Sequence, residues 1–495
     1  HPFFQTRASE SSGTNLVQKV QAIPVLGVRM KDDVWLDTRN ARPDSDALYL
    51  RPTMVCGPRA PSRPSACFAS STNNELQALR SRVFQELVPL AERTDTQAWR
   101  AFVLTRYKWP TNVRRMSFDR WNKSFPAPRQ AQHRRAEEKL RLALATEPIG
   151  SDTWNAILRP KVKAFVKAES AALKHGAVPR LIQAWDFPGQ VAAGPYIRAF
   201  SEVLRRELLG PYPEHVYYWT AGQEASAEDI GRWFAWATIM AVGRASLSPQ
   251  WFSSRNMLPL DLWEVICQYM GPDGEEVIAP PTQPYPLFEN VADVLEAWHS
   301  YEEVDVFLGD ASRFDITVDN DRLDLKTKIL VDSGGGPLVQ WAYDAYAHCT
   351  RVTANGIRYG EPYGEASGEP GTSLQSVLDI GTGCQFALAQ QGVRSACPWQ
   401  QRQAFIAING DDHVVLARRG LVDPTLLSAA LRRIGIVVEY TRVPVSRVKF
   451  LSRRLYLVEP SGDSAAAAMP VLGPLPGRQL PKMLHTPRPL RDGDR

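Results

Sequence analysis

The sequence predicts an α+β protein of several subdomains, and three observations carry that reading. At 495 residues the chain can bury several cores. Residues 404–417 hold two short apolar runs, the second rich in β-branched residues, separated by Asn409-Gly410-Asp411-Asp412. Asn-Gly between apolar runs is a hairpin signal, because the tight turn needs positive φ. Elsewhere apolar residues recur at helical spacing, as at Leu76, Leu79, Val83, Phe84, Leu87, Val88 and Leu90.

In chain order, residues 1–75 are rich in Pro, Ser, Arg and Asn and read as an irregular N-terminal extension with a few short strands. From Asn74 to about Leu104 the spacing predicts helix with one buried face. A basic section interleaved with aromatics follows: Arg106, Lys108, Trp109, Arg114, Arg115, Arg120, Trp121, Lys123, Arg129, Arg134 and Arg135. A positive surface that offers flat side chains suits a nucleic-acid strand; a solvated basic helix explains the segment equally well. Residues 162–182 mix basic positions (Lys163, Lys167, Lys174, Arg180) with small and apolar ones. Such a basic finger can line a path for a triphosphate, since Lys and Arg both neutralise phosphate oxygens and Arg does so bidentately. A helix is predicted from Gly194 to Leu209, and the Trp-rich stretch 233–296 reads as helical insertion material with a surface loop.

Residues 304–308 (VDVFL) predict a short strand that ends near Asp310, with Asp315 five positions on. Residues 320–330 predict a helix, Gly334-Gly335-Gly336 a break, and 338–352 a return to helix or strand. In 363–376 (YGEASGEPGTSLQS), Gly364, Gly368 and Gly371 make a flexible loop, and Thr372 or Ser373 caps the helix that follows. A glycine loop entering a helix can present backbone N–H groups to phosphate or ribose. After the hairpin come a helix at 424–434, a strand at 436–440 and a basic, alternating strand at 447–456. Beyond Pro460 the alanine run and Pro/Arg-rich tail predict a disordered or loosely packed end.

The net charge of +5 is mildly basic and by itself too weak to imply a polyanion partner. Six cysteines lie without CxxC or metal-finger spacing and read as reduced thiols. No apolar run approaches a membrane span and no signal peptide is apparent.

The chemistry concentrates in acidic residues. Asp411 and Asp412 stand together at the expected hairpin tip. Adjacent carboxylates repel, and the arrangement is costly unless a cation sits there. Asp310 at the end of a strand beside that hairpin would complete a divalent-metal site; an acidic surface turn is the plainer alternative.

Taken in order, FVKAE with PRLIQ (165–169, 179–183), DASRFD (310–315), SGEPGTSL (367–374) and NGDD (409–412) resemble the motifs of viral RNA-dependent RNA polymerases. The wording is closest to the tombusvirus-like group of plus-strand RNA viruses. VKFLSRR (448–454) fits the strand leading to the thumb. The resemblance implies a right-hand fold: fingers over 76–300, a palm with an antiparallel sheet over 301–457, and a minimal thumb or unstructured tail over 458–495. It implies that Asp310, Asp411 and Asp412 hold Mg²⁺ or Mn²⁺ as the catalytic and metal residues. Two such ions, roughly 3.5–4 Å apart, stabilise charge on the attacking and leaving oxygens of phosphoryl transfer. It further implies that Asp315, with Ser367, Gly368, Thr372 and Ser376, handles the ribose of the incoming NTP. Lys167 and Arg180, and more weakly Lys174, take its phosphates. The implied partners are RNA template and product, NTPs, and a viral or host replication protein tethering the chain to membranes in the host cytoplasm.

Three departures stand out. Ser376 occupies the place where the family carries Asn, so its hydroxyl reaches less far. The family's general-acid Lys falls by count on Glu439, and Arg442 nearby is a poor proton donor, so the acid for pyrophosphate stays unassigned. About forty residues after Tyr456 leave little chain for a thumb. Two other readings share the motifs: a reverse transcriptase, against which Gly410 and Asp315 argue, and a catalytically decayed RNA-binding accessory protein.

Overall fold

The computed structural model describes residues 18–19, 29–42, 50–52, 54–55, 66–167, 178–210, 215–221, 226–242, 304–361, 364–397, 401–451, 453–458, 469–474 and 485–486. These residues form a mixed α+β structure around a five-stranded sheet. Its order is Val438–Val443, Val304–Ala311, Asp412–Arg418, Ala404–Asn409, Tyr218–Trp219. All neighbours are antiparallel except the last pair.

The apolar runs of the hairpin are continuous because both faces of this sheet are covered. Ile406, Ile408, Val415 and Ala417 enter one core with Leu374, Val377 and Leu378 of the Thr372–Gln390 helix. Phe405, Ala407, Val414 and Leu416 enter another with Trp233 and Phe234 of the Ala227–Val242 helix. Alternate side chains of each strand thus feed opposite cores, as period-two geometry requires.

A six-stranded sheet carries the basic finger. Its order is Gln18–Lys19, Trp35–Asp37, Arg358–Gly360, Arg351–Thr353, Val162–Val166, Leu181–Trp185. In Val162–Val166 the alternation is clean: Val162, Ala164 and Val166 are buried while Lys163 and Phe165 face out. The 351–360 hairpin, which falls inside the expected 301–457 unit, pairs with these finger strands through Arg351–Thr353, and Trp35–Asp37 from the N-terminal extension pairs with its other strand, Arg358–Gly360.

Several boundaries differ from the sequence reading. The helix expected over 74–104 is two, Thr72–Arg82 and Thr96–Arg106, separated by a segment containing Pro89. The helix expected from Gly194 begins seven residues earlier, at Phe187, since Pro188 suits a first turn whose N–H groups need no helical partner. The glycine break is a kink at two positions, Gly334 at φ +115° and Gly336 at φ +66°, and the next helix is Gly336–Ala347. The strand expected over 447–456 is a hairpin, Lys449–Phe450 with Arg453–Val458. The tail is partly ordered, because Met469–Pro474 pairs along Arg453–Val458 and buries Leu472 with Trp233, Phe234 and Phe450. Of the Trp-rich insertion, 243–303 lies outside the described residues. Among the described residues no helix is long and apolar enough to cross a membrane.

Candidate active site

The hairpin closes one residue later than the Asn-Gly signal suggests. Asn409 pairs with Asp412, so Gly410 and Asp411 are the two turn residues. Gly410 sits at φ +68° with open space around its α-carbon, so the turn conformation alone demands glycine. Asp411 is therefore at the tip, while Asp412 opens the returning strand. Both are exposed.

Register then assembles a row. Asp412 lies opposite Asp310 on one side, and Glu439 lies opposite Asp310 on the other. Directly opposed residues share a sheet face, so three exposed carboxylates stand abreast on adjacent strands. One row further in, His413, Gly309 and Tyr440 are likewise opposed. A Cβ on Gly309 would come within 2.1 Å of the His413 ring, so glycine is required for the imidazole to cross. His413 Nε2 lies 2.9 Å from the Tyr440 hydroxyl and Nδ1 3.2 Å from the Asp411 carbonyl oxygen. A carbonyl only accepts, so Nδ1 carries the proton and Nε2 accepts from Tyr440. Burial holds this imidazole down at about 4, against the opposing pull of the Asp411 carbonyl and the Asp310 charge. The ring is thus a neutral strut beneath the turn.

A cavity of about 690 Å³ opens above these residues. Eight expected site residues border it: Lys167, Arg180, Asp310, Asp315, Ser367, Thr372, Ser376 and Asp411. Asp310 and Asp411 thus share one space although a hundred positions separate them. Lys167 and Arg180 meet because the Lys167 N–H donates to the Arg180 carbonyl at 2.8 Å, closing the finger strands together. Asp315 follows a tight step at Arg313, whose φ is +48°. Burial pushes the Asp315 carboxyl up to about 6; the charge of Asp411 adds to the rise, and Arg180 and Arg82 oppose it.

The glycine loop is tied down rather than flexible. The Gln183 N–H donates to Ser367 Oγ at 3.3 Å, and the Gly368 N–H donates to the Gln183 carbonyl at 2.8 Å. A Cβ on Gly368 would stand 2.9 Å from Ala184 Cα, so this glycine permits close approach to the finger strand. Gly368 borders a second cavity instead of the first. Neither Thr372 nor Ser373 caps the helix: the N-cap position is Gly371, and the Thr372 hydroxyl donates back to the Ala366 and Glu369 carbonyls. The Ser376 hydroxyl donates to the Thr372 carbonyl at 3.0 Å, which leaves its oxygen only as an acceptor toward the cavity. Asp412 does not border the cavity, and Lys174 lies outside the described residues.

Beneath the loop, Lys326 is buried between Glu369 and Glu365, the latter at 3.4 Å, with its ammonium 4.5 Å from the Tyr343 ring centre. Burial alone would lower this ammonium, but the two carboxylates outweigh it and raise it. Burial pushes Glu365 well above the usual carboxylate range despite the opposing charge of Lys326. The Glu365 N–H donates to the Asp315 carbonyl at 2.9 Å, which links the cluster to the cavity wall.

Sequence reasoning missed Arg82, Gln183, Arg313 and Ser373, which also border the cavity. Gln183, Arg313 and Ser373 stood inside the motifs named above; Arg82 had no local signal.

Among the described residues no group of three or more His, Cys, Asp or Glu forms a ready-made metal cage. The acidic row still fits Mg²⁺, a hard ion held by one or two carboxylates together with substrate phosphates and water. No family model and no curated protein matches the chain.

Proposed function

We propose that the chain is a template-directed RNA polymerase with a right-hand arrangement, using the five-stranded sheet as its palm. One observation carries the reading. Two carboxylates, Asp310 and Asp411, share a cavity with two finger cations, Lys167 and Arg180, and with Asp315, Ser367 and Thr372. That donor set matches the needs of nucleotidyl transfer: anions for divalent ions, cations for a triphosphate, hydroxyls and a carboxylate for a ribose.

Asp310 and Asp411, with Asp412 beside them, would hold Mg²⁺ or Mn²⁺. When bound, such ions stabilise charge on the attacking and leaving oxygens. The chain's own residues do the rest. Lys167 and Arg180 neutralise and orient the phosphates. Asp315, ionised above about pH 6, accepts a hydrogen bond from the ribose 2′-hydroxyl. Lys326 and Glu365 fix the loop that faces that ribose.

The second cavity, of about 550 Å³, supports an RNA strand path. Trp121, Phe125 and Trp219 border it together with Arg129, Arg198 and Arg205, and it meets the first cavity at Ser373. Arg129 lies over the Phe125 ring and Arg205 over Trp219. Trp121 and Trp219 are themselves buried, so it is the guanidinium groups that suit the strand, through its phosphate backbone.

The test is purified protein with an RNA template and labelled nucleotides, with and without Mg²⁺. Metal-dependent, template-complementary incorporation of NTPs in preference to dNTPs is expected. Preference for dNTPs would point to a reverse transcriptase, and absence of incorporation to a binding protein.

A further inference from the structure

We infer that Arg82 is a triphosphate-binding residue, contributed to the nucleotide cavity by the N-terminal part of the chain. The inference rests on the polymerase reading for the identity of the ligand, and on the cavity itself for the site. Arg82 ends the Thr72–Arg82 helix and borders the same cavity as Lys167 and Arg180.

Its place is set by packing. Ala78, Leu79, Val83 and Phe84 share an apolar core with Ala164, Val166 and Leu181 of the finger strands. Those strands carry Lys167 just past one end and Arg180 just before the other. One core therefore positions all three cations. The segment after the helix is also fastened to the opposite wall, where the Arg313 guanidinium donates to Gln85 Oε1. That contact commits Arg313 to the protein frame.

A basic residue in a last helical turn is ordinarily explained by the helix dipole. Arg80 serves that purpose in the same turn and does not border the cavity, whereas Arg82 does. Its charge is felt at Asp315, where it opposes the rise in that carboxyl's affinity for a proton. A triphosphate brings several negative charges into a space already bordered by Asp310, Asp315 and Asp411. A third cation beside Lys167 and Arg180 offsets that repulsion, and a guanidinium can pair bidentately with phosphate oxygens.

The experiment measures binding of ATP, ADP, AMP, adenosine and inorganic tripolyphosphate to the full chain without template, for wild type, R82A, R82Q and R82K. R82A is expected to weaken ATP and tripolyphosphate about 10- to 100-fold, ADP less, and AMP and adenosine not at all. R82K should restore part of the loss. R82Q keeps most of the packed stem and should lose affinity like R82A, so a folding defect in R82A does not blunt the test. Unchanged ATP affinity in R82A and R82Q, or an equal loss for all five ligands, overturns the assignment. Wild-type affinity that is graded by phosphate number and lost in R82A, in a protein that incorporates nothing, upholds the assignment and removes the polymerase reading. Normal incorporation with an unchanged KM for NTP in R82A removes the assignment alone.

Discussion

On the central sheet Asp412, Asp310 and Glu439 stand abreast in the open, whereas under the glycine loop Glu365 and Glu369 are buried against Lys326. The buried cluster brings its own cation, and burial shifts Glu365 toward its neutral form, which is how a protein interior tolerates carboxylates. The exposed side differs: among the described residues no Lys or Arg pairs with Asp310 or Glu439 of the row, nor with Asp411 at the tip. Like charges directly opposite each other weaken a sheet. Internally balanced charge belongs to the frame, and unbalanced charge bordering a cavity marks the place where a ligand supplies the balance.

Asp411→Ala gives the largest expected effect and tests the exposed side. RNA-templated incorporation should fall about 10³-fold or more, because several kcal/mol of charge stabilisation are lost. The thermal midpoint should hold or rise, since a repelling charge near Asp315 is gone. A clear loss of folding stability in this variant would make the row part of the frame and collapse the contrast.

Lys326→Met tests the buried side in the opposite sense. It leaves the buried Glu365 and Glu369 without their cation, so stability should drop by about 3–5 kcal/mol, read from the urea midpoint. A neutral result would mean that the cluster is not held by its ion pair.

The two regions also differ in how far the sequence disclosed them. The hairpin and the strand leading to Asp310 were legible because short-range patterns dictate them: β-rich apolar runs, a turn glycine and a two-residue repeat. Even there the turn pair was off by one position, since Asn409 pairs with Asp412 and Asp411 takes the second turn place. Lys326 was illegible. In NDRLDLKTKIL it reads as one more charge on a helix, and only the fold sets it against Glu365 and Glu369. Arg82 was hidden for the same reason, because its distance from the cavity is fixed by tertiary packing and not by its neighbours in sequence. Met469–Pro474 escaped notice because prolines at 470 and 474 argue against a strand, yet an edge strand accepts them.

Asp315 lies between the two regimes, bordering the cavity but largely enclosed. Its carboxyl is pushed up from 3.8 to about 6, so the native state holds a proton that the unfolded chain has already released across that window. Stability therefore falls as pH rises from about 4 to 6. Asp315→Asn should remove that slope and stabilise the protein at pH 7 by about 1–2 kcal/mol, less than full burial would give because the side chain keeps a solvent-facing side. The same variant should lose discrimination between NTP and dNTP. A pH–stability profile unchanged by the substitution would show that Asp315 is not held in this way.

Glu439→Gln gives the smallest effect and makes the finest test of the contrast. The substitution removes one of two like charges facing Asp310 while keeping the shape of the strand. Relief of one cross-strand repulsion should raise stability by about 0.2–1 kcal/mol in EDTA at low ionic strength, measured as a shift in thermal midpoint. With Mg²⁺ present the gain should shrink or vanish, because a cation beside the row already offsets the repulsion that the glutamine removes. If wild type and variant keep the same difference with and without Mg²⁺, the row is not where the ion binds. Unbalanced charge on this sheet would then need another explanation.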